Sequence, residues 1–471
     1  MAEDLRTFLS RLEDNNELRK VQTPVDWDLE ISHVSAVNER KKGPALLFSN
    51  VKDCPNTSIL MSGLATPKRM AIALGKPLDY SLCRLAREWS EMTFDKVIKA
   101  VNVSFGPAQQ NVLEGPDLDL GRFPAPKFFP MDGGRYIGTT VSIVTKDPES
   151  GKINVGTQRM QLHDARSIGV YFMPGKTGEK TLLKYKKLKQ KMPVTVFIGC
   201  DPLIFLAGSA MVKGASVYDM VGSIRGEPVE LLTSELTGLP FPANAELVID
   251  GVVDPEDFRT EGPFGEYTGY YTEEFRKEIK KPWIAVQRIM HRNNPVLMAT
   301  TLGRSVTDVN MILGFMRTAT LWSELRAMRL PVKSVYMMPE ACGRFWAVVS
   351  IKPRHAGDAQ QVASGVLATE TAGYGTKGVI IVDEDIEADD LTGVFWALST
   401  RYHPFRDTEI LKRGRSTSVD PSLRWDERMI TSRIILDATT PYELEDKPVE
   451  IKLDEQMLSR VNERWKEYGI D

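Results

Sequence analysis

A chain of 471 residues is too long for one compact hydrophobic core, so its length predicts two or three domains. Its residues are 42% hydrophobic and 26% charged, which is typical of a globular protein and not of a disordered or fibrous one. The formal net charge of −3 provides no overall positive field that would attract nucleic acid or acidic lipid. An acidic N-terminus and the lack of a long apolar run lead us to expect neither a secretory signal nor a membrane span. The cysteines are widely spaced and form no CxxC pair, so we expect a cytoplasmic protein.

The N-terminal segment predicts a mixed α/β unit. Asp4 can cap a helix in which apolar residues recur at helical spacing over residues 5–12. A Gly-Pro pair then precedes the apolar run 45–48, which suits a strand. Residues 115–130 are dense in proline and glycine, which indicates a connector into a second unit.

The middle of the chain is rich in strand-like segments, and we expect a β-rich domain there, in the form of a barrel. Turn residues separate these predicted strands, which cover residues 139–145, 194–198, 245–249 and 283–289. The basic run 184–191 predicts the solvated face of a helix, with Leu183 and Leu188 pointing inward. Binding of a phosphate-bearing ligand by these lysines is the alternative interpretation.

Beyond residue 305, helices alternate with strands, which predicts an α/β or α+β third unit. The predicted helices cover residues 319–330 and 358–368, and the predicted strands cover residues 345–351 and 379–382. Residues 454–468 predict a last amphipathic helix. A terminal helix with a large apolar face suits docking on another subunit, so we expect a homo-oligomer.

Two glutamates flank a bend in the segment Glu261-Gly-Pro-Phe-Gly-Glu266. Two glycines and a proline within four residues cannot continue a helix, so a rigid loop is expected that directs both carboxylates toward one cavity. Neighbouring carboxylates favour a shared proton, which suits a group that donates a proton near neutral pH. On spacing alone, a solvated surface turn is an equally good interpretation.

A candidate arginine follows the turn at residues 148–152. Residues 154–161 predict a strand, in which Thr157 and Arg159 would share one face of the sheet. An arginine directed into a pocket can bind a carboxylate with two hydrogen bonds and orient it. Taken alone, Arg159 would more often be a structural ion-pair partner.

These two segments together resemble the Glu–Arg–Glu network of the UbiD family. The resemblance rests on Asn-x-x-x-x-Arg at 154–159 followed by Glu-Gly-Pro-Phe-Gly-Glu at 261–266. The members of that family are reversible, non-oxidative decarboxylases of aromatic and α,β-unsaturated acids that use prenylated FMN. Further matching segments, in order along most of the chain, are residues 192–196, 199–202, 226–231, 242–251, 395–401 and 437–441.

The resemblance implies an α+β multidomain fold. Its parts would be an N-terminal α/β domain (1–112), a central split β-barrel that binds the flavin (113–308), a C-terminal α/β oligomerisation domain (309–445) and a C-terminal helix (446–471). It also implies roles for single residues. Glu266 would donate the proton that replaces CO₂, while Arg159 would orient the substrate carboxylate and bond to Glu261. The residues that would bind the cofactor are Asn154, Thr157, Arg159, Lys176 and Lys377.

The cofactor site departs from the family pattern. The family implies a divalent metal (Mn or Mg) and potassium beside the flavin phosphate, with Asn154 as one metal ligand. The expected histidine is missing from residues 174–179, and Val217 occupies the place of the expected glutamate. Lys176 could supply the cation directly, because lysine binds phosphate as a point charge.

Other interpretations stay open. Asp219 or Glu179 could complete a rearranged metal site, or the chain could use different chemistry. It could also be a subunit of a carboxylase that acts on a phosphorylated or CoA-linked aromatic substrate, or a non-catalytic structural subunit of such a complex. The main interpretation is a decarboxylase or carboxylase of an aromatic, heteroaromatic or conjugated acid. A flavin prenyltransferase would supply its cofactor.

Overall fold

The computed structural model describes residues 3–92, 97–209, 216–271, 278–424, 426, 429–446, 448–451 and 453–469. The N-terminal part of the chain forms a small sheet with helices against it. Asp4 accepts a hydrogen bond from the Thr7 backbone N–H at 2.8 Å, and the predicted first helix is confirmed. The helices are α1 (Leu5–Asp14), α2 (Glu30–Arg40), α3 (Pro67–Leu74) and α4 (Leu82–Met92). The strands are β1 (Leu18–Val21), β2 (Ala45–Phe48) and β3 (Ser58–Met61).

A distant strand completes this first sheet. β16 (Val296–Ala299) pairs in parallel with β3, so the order is β1-β2-β3-β16. The sheet therefore draws a strand from a part of the sequence that the predicted limits assign to the second domain. The limits themselves, at residues 112, 308 and 445, stay predictions.

The central sheet carries the strands that position the candidate site. Its members are β5 (Asn111–Glu114), β6 (Arg135–Gly138), β7 (Val141–Lys146), β8 (Ile153–Thr157), β9 (Met160–Asp164), β10 (Ser167–Val170), β11 (Met192–Ile198), β14 (Leu247–Thr260) and β15 (Lys280–His291). They follow the order β6-β9-β10-β15-β14-β11-β7-β8, and β5 also pairs with β15. The strands predicted at 139–145, 194–198, 245–249 and 283–289 are confirmed as β7, β11, β14 and β15, with shifted ends.

The connection between β8 and β9 explains the shape of this sheet. β8 lies at one end of the strand order and β9 lies next to the other end. Only Gln158 and Arg159 join the two strands, and a link of two residues reaches only about 10 Å even when extended. The two edges must therefore approach each other, so the sheet curls into a half-barrel.

Helices and a small sheet surround the half-barrel. The helices are α5 (Thr177–Leu188), α6 (Pro202–Ser209) and α7 (Val217–Arg225), and the sheet contains β4 (Val101–Asn102), β12 (Glu230–Thr233) and β13 (Pro240–Pro242). The prediction that Leu183 and Leu188 point inward is wrong, because both side chains are 49% exposed. Leu182 and Tyr185 are buried instead. The helix has two candidate apolar stripes, and packing against the sheet selects the one that includes the tyrosine.

The C-terminal part forms a mixed five-stranded sheet with the order β17-β18-β19-β21-β20. Its strands are β17 (Val332–Met337), β18 (Trp346–Ile351), β19 (Gly378–Asp383), β20 (Thr408–Arg415) and β21 (Ile430–Ala438), and its helices are α8 (Asp308–Ala327), α9 (Asp358–Ala368) and α10 (Leu391–Thr400). The predicted helix 358–368 and strands 345–351 and 379–382 are confirmed. The helix predicted at 319–330 is the second half of α8, which begins at a capping box of Thr307 and Asn310.

The predicted tail helix is confirmed as α11 (Glu455–Glu463), with a 3₁₀ turn at Trp465–Tyr468. Met457, Trp465 and Tyr468 on its apolar side are 44–54% exposed, so the docking face that the sequence predicts is uncovered in one chain. The homo-oligomer stays a prediction. Among the described residues, no helix combines the length and apolar character that crossing a bilayer requires.

Candidate active site

The loop that carries Glu261 and Glu266 begins where β14 ends, at Thr260. Hydrogen bonds hold this loop to its neighbours: Glu261 N–H to the Ile279 carbonyl (3.0 Å), Gly262 N–H to Gln161 Oε1 (2.8 Å), Gly133 N–H to the Pro263 carbonyl (2.8 Å) and Gly265 N–H to Asp132 Oδ1 (2.9 Å). The Glu261 side chain is 1% exposed and that of Glu266 is 13% exposed. The segment is therefore a buried, fixed loop and not a solvated surface turn.

Arg159 does not lie in a strand, and this part of the prediction is wrong. β8 ends at Thr157 and β9 begins at Met160, so Arg159 lies in the short link between them. Thr157 and Arg159 consequently do not share a strand face. Neither Gln158 nor Arg159 is a turn-forming residue, so the sequence contains no signal of a break there. The break results from the closure of the half-barrel.

The link directs Arg159 into a buried network with both glutamates. Its Nε donates to Glu261 Oε1 at 2.9 Å and its Nη2 to Glu261 Oε2 at 2.7 Å. Its Nη1 donates to Glu266 Oε1 at 2.7 Å. The arginine side chain is 9% exposed. Although burial alone would lower the pKa of Arg159, Glu261 and Glu266 raise it well above its usual value. The guanidinium is therefore permanently charged and fixed in orientation.

Aromatic rings enclose the network. The Arg159 guanidinium lies over the rings of Tyr171 and Phe264, at 4.7 and 4.9 Å from their centroids. The Tyr136 hydroxyl donates to Glu261 Oε1 at 3.3 Å. Burial, followed by the charge of Glu261, raises the pKa of Tyr136 well above its usual value, so this hydroxyl stays protonated as a donor. Sequence reasoning missed Tyr136 and Tyr171, because tyrosines far from the two motifs carry no local signal.

The two carboxylates differ in their surroundings. Glu261 binds Arg159 through both oxygens and also accepts from Tyr136, whereas Glu266 is the more exposed of the pair. Glu261 is therefore suited to hold the arginine in place. Glu266 is better placed to exchange a proton with a bound molecule.

The remaining predicted site residues lie on different elements. Asn154 and Thr157 belong to β8, and Lys176 lies at the start of α5. Lys377 donates to Asp420 Oδ1 and Ser422 Oγ, both at 2.6 Å. The contacts of these four residues with a cofactor stay predictions.

The described side chains do not fit a divalent metal site at Asn154. In the described part of the chain, no three or more His, Cys, Asp or Glu residues are arranged so that they could hold a metal ion. Glu179 accepts from the Gly175 backbone N–H at 2.6 Å, and Asp219 accepts from the Ala100 backbone N–H at 2.9 Å. Both proposed replacement ligands thus have local structural partners.

Comparison with known proteins finds similarity along nearly the whole chain. The sequence matches three family models of 3-octaprenyl-4-hydroxybenzoate carboxy-lyase (UbiD): the N-terminal domain at residues 9–89, the Rift-related domain at residues 99–305 and the C-terminal domain at residues 310–438. An uncharacterised protein of Archaeoglobus fulgidus is 32% identical, over 99% of this chain and 98% of that one.

Solved structures resemble the whole architecture. Vanillic acid decarboxylase of Sedimentibacter hydroxybenzoicus, in its open form, superposes with a TM-score of 0.88 at 28% identity, and the match covers 99% of both chains. The UbiD-class enzyme HmfF of Pelotomaculum thermopropionicum, in complex with FMN, gives a TM-score of 0.87 at 26% identity over 97% of this chain and 98% of that one. An evolved dimeric HmfF in complex with prFMN gives a TM-score of 0.82 at 25% identity over 96% and 99%.

Proposed function

Because the chain belongs to the UbiD family of carboxy-lyases, we propose that it removes CO₂ reversibly and without oxidation from an aromatic, heteroaromatic or α,β-unsaturated carboxylic acid. The observation that carries this proposal is the buried network in which Arg159 bridges Glu261 and Glu266. The proposed cofactor is prenylated FMN, supported by the similarity to HmfF, which binds FMN and prFMN. When bound, this cofactor supplies an electron sink for the carbon that loses CO₂.

Each residue of the network has a separate role in the reaction. The charged Arg159 orients the carboxylate of the substrate and holds it close to the reacting carbon. Glu261 keeps the guanidinium in that orientation through its two hydrogen bonds. When the carbon–carbon bond breaks, its electron pair stays on the organic fragment and CO₂ leaves. Glu266 then donates a proton to the carbon, and in the reverse direction it removes that proton.

The surroundings of the network support this assignment. The Tyr171 and Phe264 rings cover the guanidinium, and the side chains of Arg159 and Glu261 are only 9% and 1% exposed. In a site of low polarity, each hydrogen bond to a charged group is stronger than it would be in water. A non-catalytic subunit would have no evident use for a buried carboxylate–guanidinium–carboxylate arrangement, because such charges are costly to bury.

A substrate panel tests the proposal. The chain is produced anaerobically with a flavin prenyltransferase and supplied with benzoates, hydroxybenzoates, furoates and cinnamates. We expect CO₂ release from at least one class, and none from protein produced without the prenyltransferase. If flavin-loaded protein releases no CO₂ from any acid and incorporates no labelled bicarbonate into the corresponding arene, the proposal is wrong.

A second candidate function is a carboxylase that acts on a phosphorylated or CoA-linked aromatic substrate. The observation that favours it is a cluster of cationic side chains that includes Lys176, Arg317 and Arg344. Adding phenyl phosphate and an aryl-CoA ester to the panel tests this candidate directly. Homo-oligomerisation, a cytoplasmic location and bound potassium stay predictions, whereas the described residues offer no ligand set for the predicted divalent metal.

A further inference from the structure

Two arginines from distant parts of the chain pack on the same tyrosine ring. The guanidinium carbons of Arg344 and Arg415 lie 5.2 and 4.9 Å from the centroid of the Tyr374 ring. Arg344 Nη1 also donates to the Tyr374 carbonyl at 3.3 Å. A side chain at Gly375 would place its Cβ 2.9 Å from Arg344 Cδ, so glycine is needed for this close approach. The fold therefore holds like charges close together.

The buried end of this cluster has polar atoms without partners. Arg344 is 7% exposed, and its buried Nε has no hydrogen-bond acceptor within the described ranges. Within the same ranges, the buried Nη1 of Arg317 likewise has no partner. A buried donor without an acceptor costs free energy, and a charged donor costs more. Two such charged donors, one on Arg344 and one on Arg317, favour an acceptor that is not part of the chain.

The electrostatics of the cluster favour the binding of an anion. Burial and the charge of Arg344 lower the pKa of Arg317 to about 9. Partial burial lowers the pKa of Lys176, and Arg344, Arg317 and Arg415 lower it further, against the opposing effect of Glu370. Protonated cations in such proximity are stabilised by a multiply charged anion.

The cluster extends from exposed to buried side chains. Lys176 and Arg415 lie at its exposed end, whereas Arg344 lies at its buried end. Tyr267 directly follows Glu266, and Lys176 belongs to the segment that follows Tyr171, whose ring lies under Arg159. The exposed side chains of Lys176 and Arg415 leave this end of the cluster accessible to a ligand from solvent.

We propose that Arg317, Arg344, Arg415 and Lys176 form a binding site for a phosphate monoester dianion, in place of the divalent metal for which the described residues offer no ligand set. The paired N–H donors of an arginine guanidinium match the geometry of phosphate oxygens, and a lysine adds a point charge. The dianion is either the phosphate of the flavin or a phosphate on the substrate. Whichever the source, the biological role of the site rests on the proposed function, whereas the binding of the phosphate group itself does not depend on it.

Equilibrium binding to the metal-stripped protein tests this site without turnover. The chain is treated with EDTA and titrated with FMN and with riboflavin, with flavin fluorescence as the readout. A second pair of titrations compares phenyl phosphate with phenol by calorimetry. Two charge-assisted hydrogen bonds predict that a recognised phosphate strengthens binding by about 100-fold or more. An FMN preference over riboflavin identifies the cofactor as the source, and a phenyl phosphate preference over phenol identifies the substrate.

Variants connect the binding to the cluster. Arg317→Gln and Arg344→Gln should lower the affinity for the preferred phosphate ligand by about 10- to 100-fold and leave the affinity for its phosphate-free counterpart unchanged. Because substitution of a buried arginine could impair folding, Lys176→Ala at the exposed end of the cluster provides an independent measurement. Its affinity for the phosphate ligand should fall by about tenfold. Arg326→Gln is the matched control, because Arg326 lies on α8 with Arg317 but is exposed.

Several outcomes would overturn the site. One is equal affinity for FMN and riboflavin together with equal affinity for phenyl phosphate and phenol. Another is a phosphate preference that Lys176→Ala and the arginine variants leave intact. A third is FMN binding that EDTA abolishes and Mn²⁺ restores. Because none of these measurements involves catalysis, failure of the carboxy-lyase proposal would leave their interpretation unchanged.

Discussion

Replacement of Arg159 by lysine tests the geometry of the network, because it keeps the positive charge but removes the planar guanidinium group that binds both carboxylates. Arg159 makes three hydrogen bonds of 2.7–2.9 Å to two carboxylates. A lysine ammonium on a flexible stem cannot reproduce this planar bridge, so we expect at least two of the three bonds to be lost. At about 1.5–3 kcal/mol for each bond to a charged group, the loss is about 3–6 kcal/mol. This corresponds to a decrease of about 10²- to 10⁴-fold in kcat/KM.

The assay is initial-rate CO₂ release by flavin-loaded Arg159→Lys on the best acid of the panel. Arg424→Lys is the control, because the Arg424 side chain is 73% exposed and pairs with the exposed Asp426 at 3.0 Å. An exposed pair contributes no more than about 1 kcal/mol, so this variant should stay within about fivefold of the wild type. If Arg159→Lys also stays within fivefold, the bridging geometry does not contribute to catalysis.

Three further predictions concern stability, loop packing and pH. Arg225 donates from Nε to Asp201 Oδ2 at 2.8 Å, so Asp201→Ala leaves the arginine as an unpaired buried charge. The free energy of unfolding, measured in urea, should fall by about 3–5 kcal/mol, and a loss below about 1 kcal/mol would contradict this. Gly133→Ala places a Cβ 1.9 Å from the Gly262 carbonyl oxygen, so it should displace the loop that carries the two glutamates. We expect turnover to fall at least about tenfold, and unchanged turnover would show that this close contact does not position the loop. Above about pH 7, where a phosphate monoester is a dianion, the lowered pKa of Lys176 predicts a phosphate affinity that declines as the pH rises through that pKa, before the usual 10.5. Because the pKa of Arg317 is lowered to about 9, both proteins lose affinity at high pH, and the prediction concerns the difference between them. Lys176→Arg should lose less affinity than the wild type over the same pH range, and identical pH profiles would refute this role.

Local patterns predicted many elements of the fold because their causes are local. The capped first helix, helix 358–368 and the strand at 379–382 all follow from residues within a few positions of each other. Leu183 and Leu188 were assigned to the wrong face because the helix sequence permits two stripes, and only contact with the sheet decides between them. Helix periodicity alone does not contain that contact.

The candidate site was predictable where a motif covers it. The loop 261–266 contains its own turn residues, so both glutamates could be placed from the sequence. The link at Arg159 has no turn residue, and it exists because the two edges of a curled sheet meet there. The cluster of Arg317, Arg344 and Arg415 brings together α8, the segment before β18 and the end of β20. No spacing rule along the chain predicts such an assembly.

Isotope exchange by Glu266→Gln tests the central claim most directly. Glutamine keeps the size of Glu266 and can accept from Arg159, but it cannot supply the proton that replaces CO₂. With flavin-loaded protein and an active acid, we expect ¹³CO₂ to exchange into the substrate carboxylate while formation of the decarboxylated product falls by about 10²-fold or more. Product formation at the wild-type rate in this variant would contradict the assignment of Glu266 as the proton donor.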